Sequence, residues 1–315
     1  MNPKITPFLT IFTAPKPFID AHISMIQRNA IRSWLQLGKD VEIVLIGDEP
    51  GIAETARDLN VKHIKVVDKN ADGTPLVSSI FMHAREVNES PLLAYINADI
   101  ITLPDFLESA RQIAAIEREF LVVGQRWDMN VTSELNFKTG WDQDLANMIR
   151  KEGDLHRPLG SDYFIFPRNC FTNIPDFAIG RAGWDNWMIF KGRWEGWKVI
   201  NATGAIDIIH QEHDYRHLPN GQPHYRLPES TRNTYLAGGK RAIFNLIDSD
   251  WIFADGKISR PKATREKILR EFEVFPLINL HSFFLGEVFY WLFHFQKAFW
   301  EWRASLKNQE ARPHG

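Results

Sequence analysis

The chain has 315 residues, 44% hydrophobic and 24% charged, with a formal net charge of −2. This is ordinary globular composition, sufficient for one large domain or two smaller ones, and the near-neutral balance excludes a general electrostatic footprint for nucleic acid. The lone cysteine, Cys170, cannot form an internal disulfide, and "MNPKITPFLTIFTAPK" lacks the basic-then-apolar pattern of a leader, so a cytoplasmic setting is expected.

In chain order, "FLTIFTAP" predicts a strand and "DAHISMIQRNAIRSWLQLG" a helix, with Ile23, Ile26, Ala30, Ile31, Trp34 and Leu35 on one face, Asp20 as cap and Gly38 as stop. "VEIVLIG" follows as a strand, "GIAETARDLN" as a helix and "HIKVVD" as a strand. "TPLVSSIFMHAREV" predicts a helix capped by Thr74 with Pro75 in its first turn, and "PLLAYINADI" a fourth strand. A helix, "DFLESARQIAAIE", and a strand, "EFLVVGQRW", come next. From 128 to 240 the pattern loosens to loops and short strands ("YFIFP", "WKVINA", "AIDIIH") around one helix near 184–191, and "YLAGGKR" marks a boundary before a helical tail. Strands alternating with helices predict a mostly parallel sheet covered on both faces, with ligands at the carboxyl ends of its strands.

The stretch "LLAYINADIITLP" sets Asn97 and Asp99 at such an end, inside an apolar run. A buried carboxylate is costly unless it meets a cation, a proton or a metal. Without such a partner the two side chains would merely cap the next turn.

"AYINADII" resembles the strand and metal-binding turn of GT-A nucleotide-sugar glycosyltransferases, bacterial family 2 in particular, with Asn97 in place of the first Asp of an Asp-x-Asp motif. The resemblance covers about residues 8–240 through four further segments. It implies a GT-A, Rossmann-like α/β fold over residues 1–240 and a helical aromatic extension over 241–315. It also implies transfer of a sugar, hexosyl or related, from a nucleotide-diphosphate donor to a glycan or lipid-linked acceptor. Asp99 would ligate a divalent metal, while Asn97 would bond a ribose hydroxyl or a metal-bound water.

"DGTPLVSSIF" resembles the segment lining the donor pocket, which makes Gly73, Thr74 and Ser78 candidate contacts, with the helix start suited to an anion. The resemblance adds Thr13 and Asp48 to the donor set. In "LGSDYFIFPR", Asp162 is assigned to the donor sugar or the acceptor. In "FAIGRAGWDNWMIF", Gly180 and Gly183 precede a helix opened by Asp185, the candidate base that takes the proton from an acceptor hydroxyl in an inverting transfer. Trp184 and Trp187 offer faces to a sugar ring beside Asn186, or else belong to the core. "AIDIIHQEHDYRH" brings His210, His213, Asp214 and His217 past a strand, and His210 or His213 would complete the metal shell, with imidazole favouring Mn²⁺ over Mg²⁺. Glu229, Asn233 and the "LAGG" turn at 236–239 fit the closing of the pocket.

Two other chemistries remain open: a metal-dependent phosphoesterase using His210, His213 and Asp99, and a catalytically silent sugar-nucleotide binder, for which Asn97 is the argument. A sugar-phosphate nucleotidyltransferase is disfavoured because "FTAPKPF" contains no glycine. The tail "FPLINLHSFFLGEVFYWLFHFQKAFWEWRAS", 275–305, is too interrupted by charge to span a bilayer. It suits the inner membrane interface, through its aromatics with Lys297, Arg303 and Lys307, and equally a helix packed on the catalytic domain or on a second copy as a homodimer.

Overall fold

The structure, a computed structural model, describes residues 6–213 and 227–310, side chains of 305–310 excepted. Its elements are β1 (Leu9–Thr13), α1 (Ala21–Leu35), β2 (Val41–Ile46), α2 (Ile52–Asp58), β3 (Lys62–Ile64), α3 (Val77–Glu86), β4 (Leu92–Ile96) and β5 (Ile100–Thr102). There follow α4 (Asp105–Ile116), β6 (Phe120–Val123), β7 (Trp127–Met129), α5 (Trp141–Glu152), β8 (Asp154–Leu155), β9 (Tyr163–Pro167), α6 (Trp184–Trp194), β10 (Lys198–Asn201) and β11 (Ile208–Gln211). The chain closes with α7 (Pro228–Leu236), β12 (Trp251–Ala254), β13 (Lys257–Ser259), α8 (Arg265–Ile278), α9 (Phe283–Phe293) and α10 (Phe295–Glu310).

The central sheet has nine strands in the order β13-β12-β10-β6-β9-β4-β1-β2-β3, mostly parallel, with β9 and β13 antiparallel to their neighbours. Every residue of β1, β4 and β9 is buried, as a sheet covered on both faces requires. Alternate residues feed two cores: Phe12 and Tyr95 pack with Phe81, Trp184 and Trp187, while Ile11 and Ala94 pack with Trp34 and Phe106. The expected α/β architecture, a mostly parallel sheet flanked by helices, is therefore present.

A second sheet, β5-β11-β7-β8, stands beside the first. Its register sets His210 opposite Ile100 on β5 and opposite Asp128 on β7. Trp34 Nε1 donates to the Ile100 carbonyl at 2.9 Å, tying α1 to this sheet, and Asp20 caps α1 through the Ile23 amide.

Three expectations are corrected. Helix α3 begins at Val77 rather than at Thr74, because Asn70 Oδ1 takes the amides of Asp72 and Thr74 into a local turn. Gly73 completes that turn at φ +81°, and the Val77 amide donates to the Phe177 carbonyl, so the helix start lies beyond Gly73 and Thr74 with its first amide already taken. Helices α5 and α7 both lie in the stretch expected as loops and short strands around one helix near 184–191: α5 is amphipathic but buries only Leu145 and Ile149, and α7 buries Ser230 and Asn233, so few apolar residues mark either. Beyond residue 240 the chain is not helix alone: β12 and β13 extend the central sheet, β12 in parallel register with β10.

Candidate metal centre and active site

Strand β1 leads to β2 on one side and neighbours β4 on the other, so the strand order reverses between β1 and β4. Crevices of open α/β sheets form at such points, outside the carboxyl ends of the strands. Thr13 ends β1 there, fully buried, and Asn97 and Asp99 follow β4 in the turn before β5.

Asp99, His210 and His213 converge at this crevice, with one potential ligand atom from each lying within 4.8 Å of the others. Asp99 Oδ2 is 3.0 Å from His213 Nε2 and 3.4 Å from Lys16 Nζ, and Lys16 Nζ is 2.9 Å from His213 Nε2. Burial opposes ionisation of Asp99, but Lys16 and the two histidines overcome it and hold the carboxyl well below the usual carboxylate range. Asp99 Oδ1 is buried with no hydrogen-bond partner among the described residues. One carboxylate oxygen left open beside two imidazoles is a donor set that fits a divalent transition ion. Asp214 and His217, the other members of the expected cluster, lie outside the described residues.

Behind His210, its Nδ1–H donates to Asp128 Oδ1 at 2.9 Å, which leaves Nε2 for a metal. Asp128 also accepts from His156 Nδ1 at 2.7 Å and from Arg126 Nε at 2.8 Å. Burial raises the Asp128 pKa, yet His210, Arg126 and His156 together drive it well below its ordinary value. Arg126 reaches on to Asp162 Oδ2 at 2.8 Å, and Asn97 Nδ2 donates to Asp162 Oδ1 at 2.8 Å. Asn97 and Asp162 thus brace each other across the ends of β4 and β9, and Tyr95 adds a hydroxyl to Asn97 Oδ1 at 3.1 Å. Buried Gln211 fastens the whole to α1, donating to the carbonyls of Ile26 and Asp99 at 2.7 and 3.1 Å.

Asp185 stands in the first turn of α6, behind Gly183 at φ +109°, a conformation open to glycine. Burial is the main cause that pushes its carboxyl up to about 6, and nearby Asp162 adds to it, against backbone amides that favour ionisation. Asp99, Asp162 and Asp185 each also act on the buried Tyr95 hydroxyl, which burial above all raises far above its usual range, so the three carboxylates share one region. The approach to Asp185 is kept open by Gly160, where a Cβ would stand 3.3 Å from Asp185 Oδ2.

Other expected contacts are placed differently. Trp184 is 5% exposed and packs edge-on to Tyr95 with ring centroids 5.0 Å apart, and Trp187 is equally buried, so neither presents a face to a sugar. Asn186 spends its amide on the Leu159 and Phe244 carbonyls. Ser78 donates to Asp176 at 2.6 Å and lines a cavity of about 350 Å³ that none of Asp99, Asp185, His210 and His213 borders. Asp48 is exposed and paired with Lys69 at 2.6 Å, which lowers its pKa. Thr74 belongs to a separate cluster in which Glu229 accepts from Asn70 and Arg181 at 2.7 and 2.5 Å, and Asn233 bonds both backbone groups of Ala178.

Sequence reasoning missed Lys16, Arg126, Asp128 and His156. The available signal was positional: Lys16 follows β1, Arg126 and Asp128 flank the start of β7, and His156 follows β8.

No family model matches this chain, and no curated protein matches it. Similar solved structures include the M. tuberculosis glucosyl-3-phosphoglycerate synthase, at 15% identity and TM-score 0.46 over 74% of this chain and 81% of that one. Another is a Pyrobaculum calidifontis mannosyltransferase in complex with GDP-Man and Mn²⁺, at 12% identity and TM-score 0.40 over 66% of this chain and 58% of that one. Scores below 0.5 decide nothing about this chain's chemistry, which is read from the site itself.

Proposed function

We propose that the chain is a metal-dependent glycosyltransferase that moves a sugar from a nucleotide-diphosphate donor to the hydroxyl of a glycan or lipid-linked acceptor. The carrying observation is the Asp99, His210 and His213 set at the reversal of strand order, with Asp128 fixing the His210 tautomer. These three residues would hold the ion, and imidazole ligands favour Mn²⁺ over Mg²⁺. When bound, such an ion neutralises a diphosphate and eases departure of the nucleoside diphosphate.

The remaining roles fall to the chain's own groups. Lys16 supplies a further positive charge beside Asp99 for the donor's phosphates. Asp185, with its carboxyl near 6, is ionised at neutral pH yet basic enough to take the proton of an attacking hydroxyl. Asn97 and Asp162 hold the floor of the crevice rigid through Arg126.

The test is a thermal-shift screen of UDP, GDP and dTDP and their common sugars, with and without Mn²⁺, against the native chain and Asp99→Ala. A ligand that binds only the folded state raises its melting temperature. Metal-dependent stabilisation by one nucleotide, lost in Asp99→Ala, supports the donor site. Release of inorganic phosphate without an acceptor would sink the transferase in favour of a phosphoesterase, and donor binding without turnover would leave a silent binder.

A further inference from the structure

Helices α8 to α10 turn a broad apolar surface outward. Phe284 is 77% exposed, Leu292 71% and Phe295 65%, and Phe272, Phe275 and Trp300 are exposed beside them. Patches of this kind mark contact with a partner or a membrane. No helix among the described residues is long and apolar enough to cross a bilayer, and the eleven residues of α9 extend only about 16 Å against a hydrocarbon core of about 30 Å.

Charge decides the occupant. Between 279 and 304 the acidic residues are Glu287 and Glu301. Both are drawn to Arg241, whose Nε and Nη2 lie 3.0 and 2.7 Å from them. The exposed cations Lys297 and Arg303 have no ion-pair partner among the described residues, and Arg303 sits 5.5 Å over the Trp300 ring. Exposed aromatics accompanied by uncompensated cations match a surface of anionic headgroups over acyl chains. On α8, Glu271 and Glu273 are held by Arg193, Lys267, Arg270 and His294, which leaves exposed Glu266 as the one acid of α8 outside an ion pair among the described residues. A second copy laid on the same face would therefore bury Lys297 and Arg303 with too few acids to meet them.

We propose that α8 to α10 seat the protein on an anionic membrane surface, lying in the interface rather than spanning it. Phe272 and Phe275 also line a groove of about 440 Å³ with Ile268, Pro261 and Ala263, room for an acyl chain, and the charged lining of this groove is closed in the ion pairs Asp250–Arg260 and Lys267–Glu271. This surface stands whatever chemistry the metal centre performs.

The experiment is co-sedimentation of the full chain with vesicles of phosphatidylcholine alone and of phosphatidylcholine mixed with phosphatidylglycerol, with light scattering of the free protein. Binding to the mixed vesicles, weakened by salt, is expected. Lys297→Glu with Arg303→Glu should weaken it at least roughly tenfold. Phe284→Ser with Leu292→Ser should weaken it too, all four sites being exposed enough to leave the fold intact by circular dichroism. Absence from both kinds of vesicle, indifference to charge reversal, or a dimer abolished by Phe284→Ser would overturn the assignment.

Discussion

His210 Nδ1 donates to Asp128 Oδ1 at 2.9 Å, across paired strands and 82 positions of sequence. This bond directs the opposite ring nitrogen toward Asp99 and His213. Removing the carboxylate frees the ring to rotate and to change tautomer, which typically lowers metal affinity 10- to 100-fold. Asp128→Asn should therefore weaken Mn²⁺ binding by about that factor in calorimetric titration, with the ligand residues untouched. Unchanged affinity would show that His210 takes no part in the metal centre.

If Asp185 removes the acceptor proton, it works only when ionised. With its carboxyl near 6, kcat/KM should fall about tenfold per pH unit below pH 6 and level off above it. Asp185→Asn should lower kcat by about 10²- to 10⁴-fold and abolish that acid limb while donor affinity stays nearly constant. The stability effect runs the other way. The folded-state pKa lies above the ordinary 3.8, so the charge costs stability as pH rises from about 4 to about 6, and the variant should gain up to about 3 kcal/mol at pH 8. A profile flat through pH 6, or loss of donor binding in the variant, would make Asp185 a structural residue.

The strand and helix alternation through β4 was legible because each element obeys its own period, and the Asp20 cap, the turn at Asn97 and Asp99, and the Gly183 entry to α6 are local signals. What the sequence hid is long-range. Lys16 meets His213 from 197 positions away, and Asp128 meets His210 only through sheet register, which no local pattern announces. Trp184 looked like a sugar platform because residue type does not show which face of α6 the core takes. The start at Thr74 was misplaced because Asn70's side chain competes with helix geometry.

Lys16 Nζ rests against two of the three candidate ligand residues. A divalent ion arriving there meets a positive charge at about 4 Å, an opposition of about 1–4 kcal/mol per unit charge in water-like to protein-surface dielectric. Lys16→Met should accordingly tighten Mn²⁺ binding tenfold or more in the absence of nucleotide. The same variant should weaken binding of a nucleoside diphosphate, whose phosphates lose a cation. Weaker metal binding would instead assign Lys16 to holding Asp99 and His213 in place.

Helix α6 joins the candidate active site to the apolar tail: Asp185 lies in its first turn, and Trp194 at its end stacks on His281 with ring centroids 4.4 Å apart and packs against Phe283. His281 occupies the link between α8 and α9 at φ +50°. Trp194→Ala removes a large packed ring and the stack together, and truncations of this kind cost about 3–5 kcal/mol when the site is closed and less at a half-buried position. A loss of about 2–4 kcal/mol in denaturant unfolding is expected, with increased protease cleavage between α8 and α9 under native conditions. Because Asp185 sits on a separate turn braced by Asn186, turnover measured well below the melting temperature should change less than stability does. A variant as stable as the native chain would mean that α8 and the Arg241 ion pairs with Glu287 and Glu301 hold the tail without this stack.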